Sequence, residues 1–288
     1  MFSLVTLREM NYTALLNDKR FLVALGVTSS YCLLPWISRK MIGFVLGFSM
    51  RKKAAELRKA RDESIEWARK TAASLDAKER DRISSMSDRQ LIEALQSCSV
   101  TAVNALKTYL ALAIQAHEKT NCVTLFIKES LAIAEEWDKK AREDGFVKPP
   151  FFGLPMSVKE STPMKDHVST WGCASCPFPA GNRDALVVQS GRVNGAVPFV
   201  RTNVPLLCLT YDSINGIYGA SMNPYSRERS SGGSSGGESS LVGAKGSPIG
   251  MGSDLGGSIR VPAAYAGVAG FRPTGQRVSS IGYPLQAP

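Results

Sequence analysis

The chain has 288 residues, 44% hydrophobic and 21% charged, enough for one or two domains with a substantial core. Its net charge of +10 sits mostly at the start: residues 1–61 carry 11 Lys/Arg against 3 Asp/Glu, and the rest carry 24 against 22. A nearly neutral body without a basic, aromatic-interleaved stripe excludes a nucleic-acid surface as its organising feature.

Phe21–Ile37 has no charge in 17 positions, and a second apolar run, Met41–Ser49, follows Ser38-Arg39-Lys40. As a helix the first run is about 25 Å long, the short end of a bilayer span; the competing reading is a buried helix of a soluble core. It begins after Asp18-Lys19-Arg20 and lacks a small-residue cleavage pattern, which argues against a signal peptide. Arg51-Lys52-Lys53 and Arg58-Lys59-Ala60-Arg61 then place positive charge after the second run. By the positive-inside rule the body faces the cytoplasm, with a basic helix near anionic headgroups.

Residues 51–75 predict a charged surface helix with apolar positions too sparse for a core stripe. Ser87 with Gln90 is a capping-box pattern for the next helix, and Ser99 can cap the one after it, whose apolar residues recur at helical spacing through His117. His117 reads as an exposed structural residue. A further helix is predicted over Leu125–Glu143, ending at Gly145 ahead of Pro149-Pro150.

From Phe152 the pattern changes to short apolar runs bounded by Gly and Pro: LPMSVK, ALVVQSG, AVPFVRT and LLCLTY. These are strands and strand-to-helix units of an α/β sheet, with 184–191 helical. Lys159 ends the first run. Alternation puts Ser157 on its face and Glu160 on the other. His167 reads as a loop histidine. Cys173 and Cys176 form a lone CxxC among six cysteines, with no second pair and no histidine at ligand spacing. This is an incidental pair in a reducing cytosol, and no metal or disulfide framework is implied.

Gly232–Pro262 is the most informative stretch. GGSSGG alone would pass for a linker, but Leu241–Val261 carries apolar residues throughout, with only Lys245, Asp254 and Arg260 charged. That composition belongs to a buried, tightly turned backbone. It holds neither G-x-x-x-x-G-K-[ST] nor G-x-G-x-x-G, so phosphate cradling is excluded. In Asp254-Leu255-Gly256-Gly257-Ser258 a serine follows two residues without side chains, beside N–H groups able to hold an oxyanion. With only two histidines, a desolvated lysine is the better candidate base.

GLPMSVKE around Lys159, GGSSGGE around Ser234 and SDLGGSIRVP around Ser258 resemble the amidase signature family. TNCVT, VSTWG, GAVPFVRTNVP, MNPYS and GFRPTG extend the resemblance to its membrane-anchored, fatty-acid-amide-hydrolysing branch, from about Met86 to the last residue. The resemblance implies a mixed central sheet covered by helices, of which this chain carries the amino-terminal part, preceded by a membrane-anchor helix. It divides the chain into a tail (1–20), an anchor (21–50), a basic juxtamembrane helix (51–84) and the amidase signature domain (85–288).

Residue by residue, the resemblance implies Ser258 as nucleophile, Ser234 as bridging serine on a cis peptide bond, and Lys159 as base. The N–H groups of Leu255, Gly256, Gly257 and Ser258 would form the oxyanion hole, with Ser235, Asp254 and Arg260 supporting. It implies a serine hydrolase cleaving N-acylethanolamines or primary fatty acid amides through an acyl-enzyme, on an endomembrane facing the cytoplasm, with no cofactor; pairing as a homodimer is a further expectation of the resemblance. Leu207 and Cys208 are candidate substrate contacts; Leu206, Leu207 and Leu209 either line an acyl groove or belong to the core. The family domain ordinarily continues far beyond its nucleophile, whereas this chain stops at Pro288. A rival expectation is therefore an inactive, membrane-bound interaction partner with exposed apolar patches. An amidase of another substrate class is the second alternative.

Overall fold

The computed structural model describes residues 34–175 and 180–283. Two units are distinguished, 1–52 and 53–288. The expected tail and most of the Phe21–Ile37 run lie outside the described residues. The described part of the anchor, from Leu34, is the beginning of a 40-residue helix, α1 (Leu34–Ala73). Among the described residues no helix is long and apolar enough to cross a membrane.

In the second unit α1 departs from the predicted surface role. Ser64, Ala68 and Ala72 are buried, and small side chains at helical spacing let the backbone approach the core closely. Three helices follow: α2 (Ala77–Ser84), α3 (Asp88–Gln96) and α4 (Ala102–Thr120). The capping box at Ser87 forms as predicted, Gln90 answering the Ser87 N–H at 2.9 Å. The cap of α4 is Thr101 rather than Ser99: Thr101 Oγ1 accepts from the Asn104 N–H, while the Ser99 hydroxyl donates back to the Ala94 carbonyl. Asp138 completes the cap, accepting from the N–H groups of Ala102 at 2.7 Å and Val103 at 3.1 Å. Ala105, Leu106, Tyr109, Leu110, Ala113 and Ala116 give α4 a continuous buried face, and Asn121 ends the helix in the left-handed region at φ 52°.

The helix predicted to begin at Leu125 begins at Ser130, as α5 (Ser130–Lys140). Val123–Phe126 is instead strand β1, because pairing with a later strand overrides the helical reading of a short apolar run. Strand β2 (Pro155–Lys159), helix α6 (Leu186–Val193) and strand β3 (Val197–Thr202) follow. The fourth run, LLCLTY, is not a strand: Leu206–Cys208 is a single 3-10 turn with Leu207 and Cys208 at φ 53° and 58°. Two short hairpins come next, β4 (Ile214–Asn215) with β5 (Gly219–Ala220), and β6 (Met222–Asn223) with β7 (Ser226–Ser230). Helix α7 (Gly236–Gly243), strand β8 (Ile249–Met251) and helix α8 (Arg260–Ala266) close the described chain.

The central sheet has the order β1-β3-β2-β8 and is mixed, with β2 parallel to both neighbours and β1 antiparallel to β3. At the β1 edge the Phe126 N–H donates to Ser64 Oγ of α1 at 3.0 Å, so a helix satisfies a group that an edge strand would leave open. Register places Lys159 opposite Thr202 on one side of β2 and Ser157 opposite Gly250 on the other.

Candidate active site

Lys159 is completely buried at the carboxyl end of β2. Its Nζ donates to Ser234 Oγ at 2.7 Å and to Ser253 Oγ at 2.9 Å. Burial pushes the lysine below its ordinary value, opposed by Cys208, Glu238, Asp254 and Glu160. The unprotonated amine is thereby favoured, as a base requires. Glu160 points away as alternation predicts, accepting the N–H groups of Thr170 at 2.5 Å and Trp171 at 3.0 Å. On that far face Arg201 is buried in a cage of carbonyls from Glu160, Thr162 and Val168.

Ser234 follows a cis Gly233–Ser234 peptide bond and leads directly into α7. That turn fits only because its glycines lack side chains: a Cβ on Gly237 would collide with the Asn203 backbone, and one on Gly236 would meet Ser231 Oγ at 2.5 Å. Ser235 ties the loop to the next segment. Its N–H donates to the Ser258 carbonyl at 3.0 Å, and its hydroxyl donates to the Ser253 carbonyl at 3.3 Å.

The 252–259 turn is organised by Asp254. Its carboxylate accepts from the N–H groups of Gly257 at 2.7 Å, Ile259 at 3.1 Å and Arg260 at 3.2 Å, and from the Arg260 guanidinium at 2.9 Å through both oxygens. Burial pushes this carboxyl up, but the hydrogen bonds from Arg260 and the backbone outweigh it and hold it well below the usual carboxylate range. Tyr211 Oη donates to the Gly256 carbonyl at 2.7 Å from the other side. The N–H groups of Leu255, Gly256 and Ser258 form no hydrogen bond among the described residues, whereas that of Gly257 is taken by Asp254. Three of the four predicted oxyanion donors are therefore open.

The pair that is assembled is Lys159 with Ser234. The Ser258 hydroxyl forms no hydrogen bond among the described residues, and its link to the Ser234–Ser235 loop runs through its backbone carbonyl. Neither histidine bonds to Ser234 or Ser258. His117 is half-buried rather than exposed, its Nδ1 accepting the Val123 N–H at 3.1 Å, and His167 Nε2 lies 3.7 Å from the Glu129 carboxylate. Cys208 is half-buried and Leu207 exposed, and Leu206 and Leu209 are exposed too, which removes the core reading of these leucines.

Four polar residues of the site were not singled out from sequence: Ser253, Thr202 and Glu238 around Lys159, and Tyr211 at the 252–259 turn. Glu238, Ser253 and Thr202 each had a signal, as members of GGSSGGE, SDLGGSIRVP and GAVPFVRTNVP; Tyr211 had none. Its carboxylate is buried, accepting from Ser157 Oγ at 2.5 Å and Thr202 Oγ1 at 2.6 Å.

A buried lysine on a strand end, a serine beside it at the head of a glycine-rich helix, and a second serine in a carboxylate-clamped turn define a serine-and-lysine site on an α/β scaffold. The chain belongs to the Amidase family, which it matches over residues 104–287. It is 41% identical over 256 residues to fatty acid amide hydrolase 1 of Caenorhabditis elegans, covering 86% of this chain and 45% of that protein. It is 36% identical over 263 residues to fatty-acid amide hydrolase 1 of Sus scrofa, covering 89% and 43%. A solved structure of a fatty acid amide hydrolase superposes with a TM-score of 0.71 at 32% identity, over 82% of this chain and 44% of that one. The chain spans less than half the length of these relatives.

Proposed function

We propose that this chain carries a Ser-Ser-Lys site for hydrolysing fatty acid amides. The observation that carries the reading is the completely buried Lys159 amine, 2.7 Å from Ser234 Oγ. Ser258 Oγ attacks the amide carbonyl as its proton passes to Ser234 Oγ, while Ser234 gives its own proton to neutral Lys159. The oxyanion is received by the open N–H groups of Leu255, Gly256 and Ser258, with Gly257 holding the turn rather than the charge. The proton returns through Ser234 to the leaving amine, and water then hydrolyses the acyl-enzyme.

The lipid character of the substrate is supported by the names of the relatives and by the exposed Leu206, Leu207 and Leu209 beside Cys208. An acyl chain lying along these residues and a membrane-facing amino-terminal helix belong to one reading. Trp36, Met41 and Phe48 expose apolar side chains on α1, ahead of Arg51-Lys52-Lys53. A second reading, an inactive scaffold that engages another polypeptide, is favoured by the unpaired Ser258 hydroxyl.

Labelling of the 288-residue chain with a fluorophosphonate lipid probe, beside Ser258→Ala, tests the proposal. Labelling lost only in the variant supports the hydrolase. Absence of labelling in the parent chain, with labelling of a form extended at its carboxyl end, supports the scaffold.

A further inference from the structure

We infer that the buried Glu238 carboxylate is a positioning residue for Lys159: held between Ser157 and Thr202, it sets the pH at which the lysine amine gives up its proton. The inference uses the hydrolase reading only for its catalytic consequence.

The placement follows from register. Ser157 lies two residues before Lys159 on the same face of β2, and Thr202 is the partner of Lys159 across the β2–β3 ladder. Both hydroxyls donate to Glu238, one to each oxygen. The carboxylate therefore spans the two strand positions that flank the lysine. Room for it is made at β8, where a Cβ on Gly250, the partner of Ser157, would collide with Glu238 Oε2. Because Glu238 is on α7, four residues after Ser234, the same contacts fix the helix that Ser234 leads into against the strand that carries Lys159.

The other ionisable groups around the lysine are committed elsewhere or lie further along the chain. Glu160 turns to the opposite face and accepts backbone N–H groups, with Arg201 caged beside it. Asp254 is paired with Arg260 and approached by Arg272. Cys208 lies in the turn after β3, and β8 supplies no ionisable side chain. From α4, which also packs on β2, the ionisable side chains that are buried or half-buried include Tyr109 and His117. The ionisable groups coupled electrostatically to Glu238 include Lys159 and the buried Cys122 thiol. Glu238 is thus a buried carboxylate with no ion-pair partner among the described residues. Burial pushes it up to about 7, opposed by the bonds from Ser157 and Thr202, so its charge changes in the range where the amine must work.

The sign of the effect is fixed. Negative charge at Glu238 favours the ammonium, so removing it lowers the pH at which Lys159 becomes neutral, on the order of one unit for a buried opposite charge. Carbon-13 NMR of the lysine ε-carbons in the full chain measures that midpoint directly, with the Lys159 signal assigned by its loss in Lys159→Met. Glu238→Gln is expected to move the midpoint down by on the order of one pH unit. Thr202→Val removes one hydrogen bond to the carboxylate, favours its protonated form and is expected to shift the midpoint the same way, which keeps the test available if Glu238→Gln fails to fold. A midpoint unchanged in the folded variants overturns the inference. In a second arm, the acid limb of fluorophosphonate labelling should follow the NMR shift. A shifted midpoint in a chain that labels at no pH upholds the Glu238 inference and sinks the hydrolase reading instead.

Discussion

Lys159 combines two opposed energetic roles that one substitution separates. As base it must be unprotonated, and removing it should cost labelling of Ser258 about two to four orders of magnitude. As a buried amine it is a liability at neutral pH, since burial lowers its proton affinity in the fold while the unfolded chain binds the proton freely. Lys159→Met, similar in length, should therefore slow labelling by that factor without lowering the urea midpoint at pH 7; a lower midpoint would show that the amine is a structural tie. Asp254 is the converse case. Asp254→Ala removes the clamp on the N–H groups of Gly257, Ile259 and Arg260, and loosening the nucleophile by even about 1 Å should reduce labelling roughly a hundredfold. Far-UV circular dichroism should hardly change. Lys159, Ser234 and Ser258 were singled out because each sits in a short contiguous motif that resembles the family's. Glu238 was not, because its partners lie 81 and 36 residues away and only the sheet register brings them together.

At the scale of elements, α4 depends on a cap from outside its own sequence. Asp138 on α5 accepts the first two N–H groups of α4 and places a negative charge at the positive end of the helix. Asp138→Ala should cost about 1–2 kcal/mol in urea unfolding, more than Ser99→Ala, whose hydroxyl serves the preceding turn. The other end of α4 carries a pH dependence. Burial, helped by Arg61, lowers His117 from 6.5 to about 4, so the unfolded chain takes up a proton first as the pH falls. Stability should drop between about pH 6.5 and pH 4, by at most about 1.4 kcal/mol per unit, and His117→Gln should flatten that part of the profile. The capping box at Ser87 was readable because both partners lie within four residues. The Asp138 part of the α4 cap and the strand character of 123–126 were not, since Asp138 and β3 are distant in sequence and local pattern cannot weigh them; Thr101 was local but lost to Ser99, an equally good capping type two residues earlier.

For the second unit as a whole, the two edges of the sheet are treated differently. The β1 edge is closed by Ser64, whereas β8 has no strand on its outer side among the described residues. There Ile249 and Phe271 expose apolar side chains, Phe271 at 80%, along a groove of about 1200 Å³ that runs between Ile249, Ile259, Phe271 and Met86. An open edge flanked by apolar side chains is a template for pairing with another chain, and a patch of this kind favours association in water. Size-exclusion chromatography with light scattering should find the chain, in mild detergent, associating as its concentration rises. Ile249→Lys, a charge placed on the edge itself, should shift it toward the monomer, while a charge at the exposed Val193 on α6 should not. If the chain stays monomeric, or if both substitutions act alike, the β8 edge is not a surface that drives association.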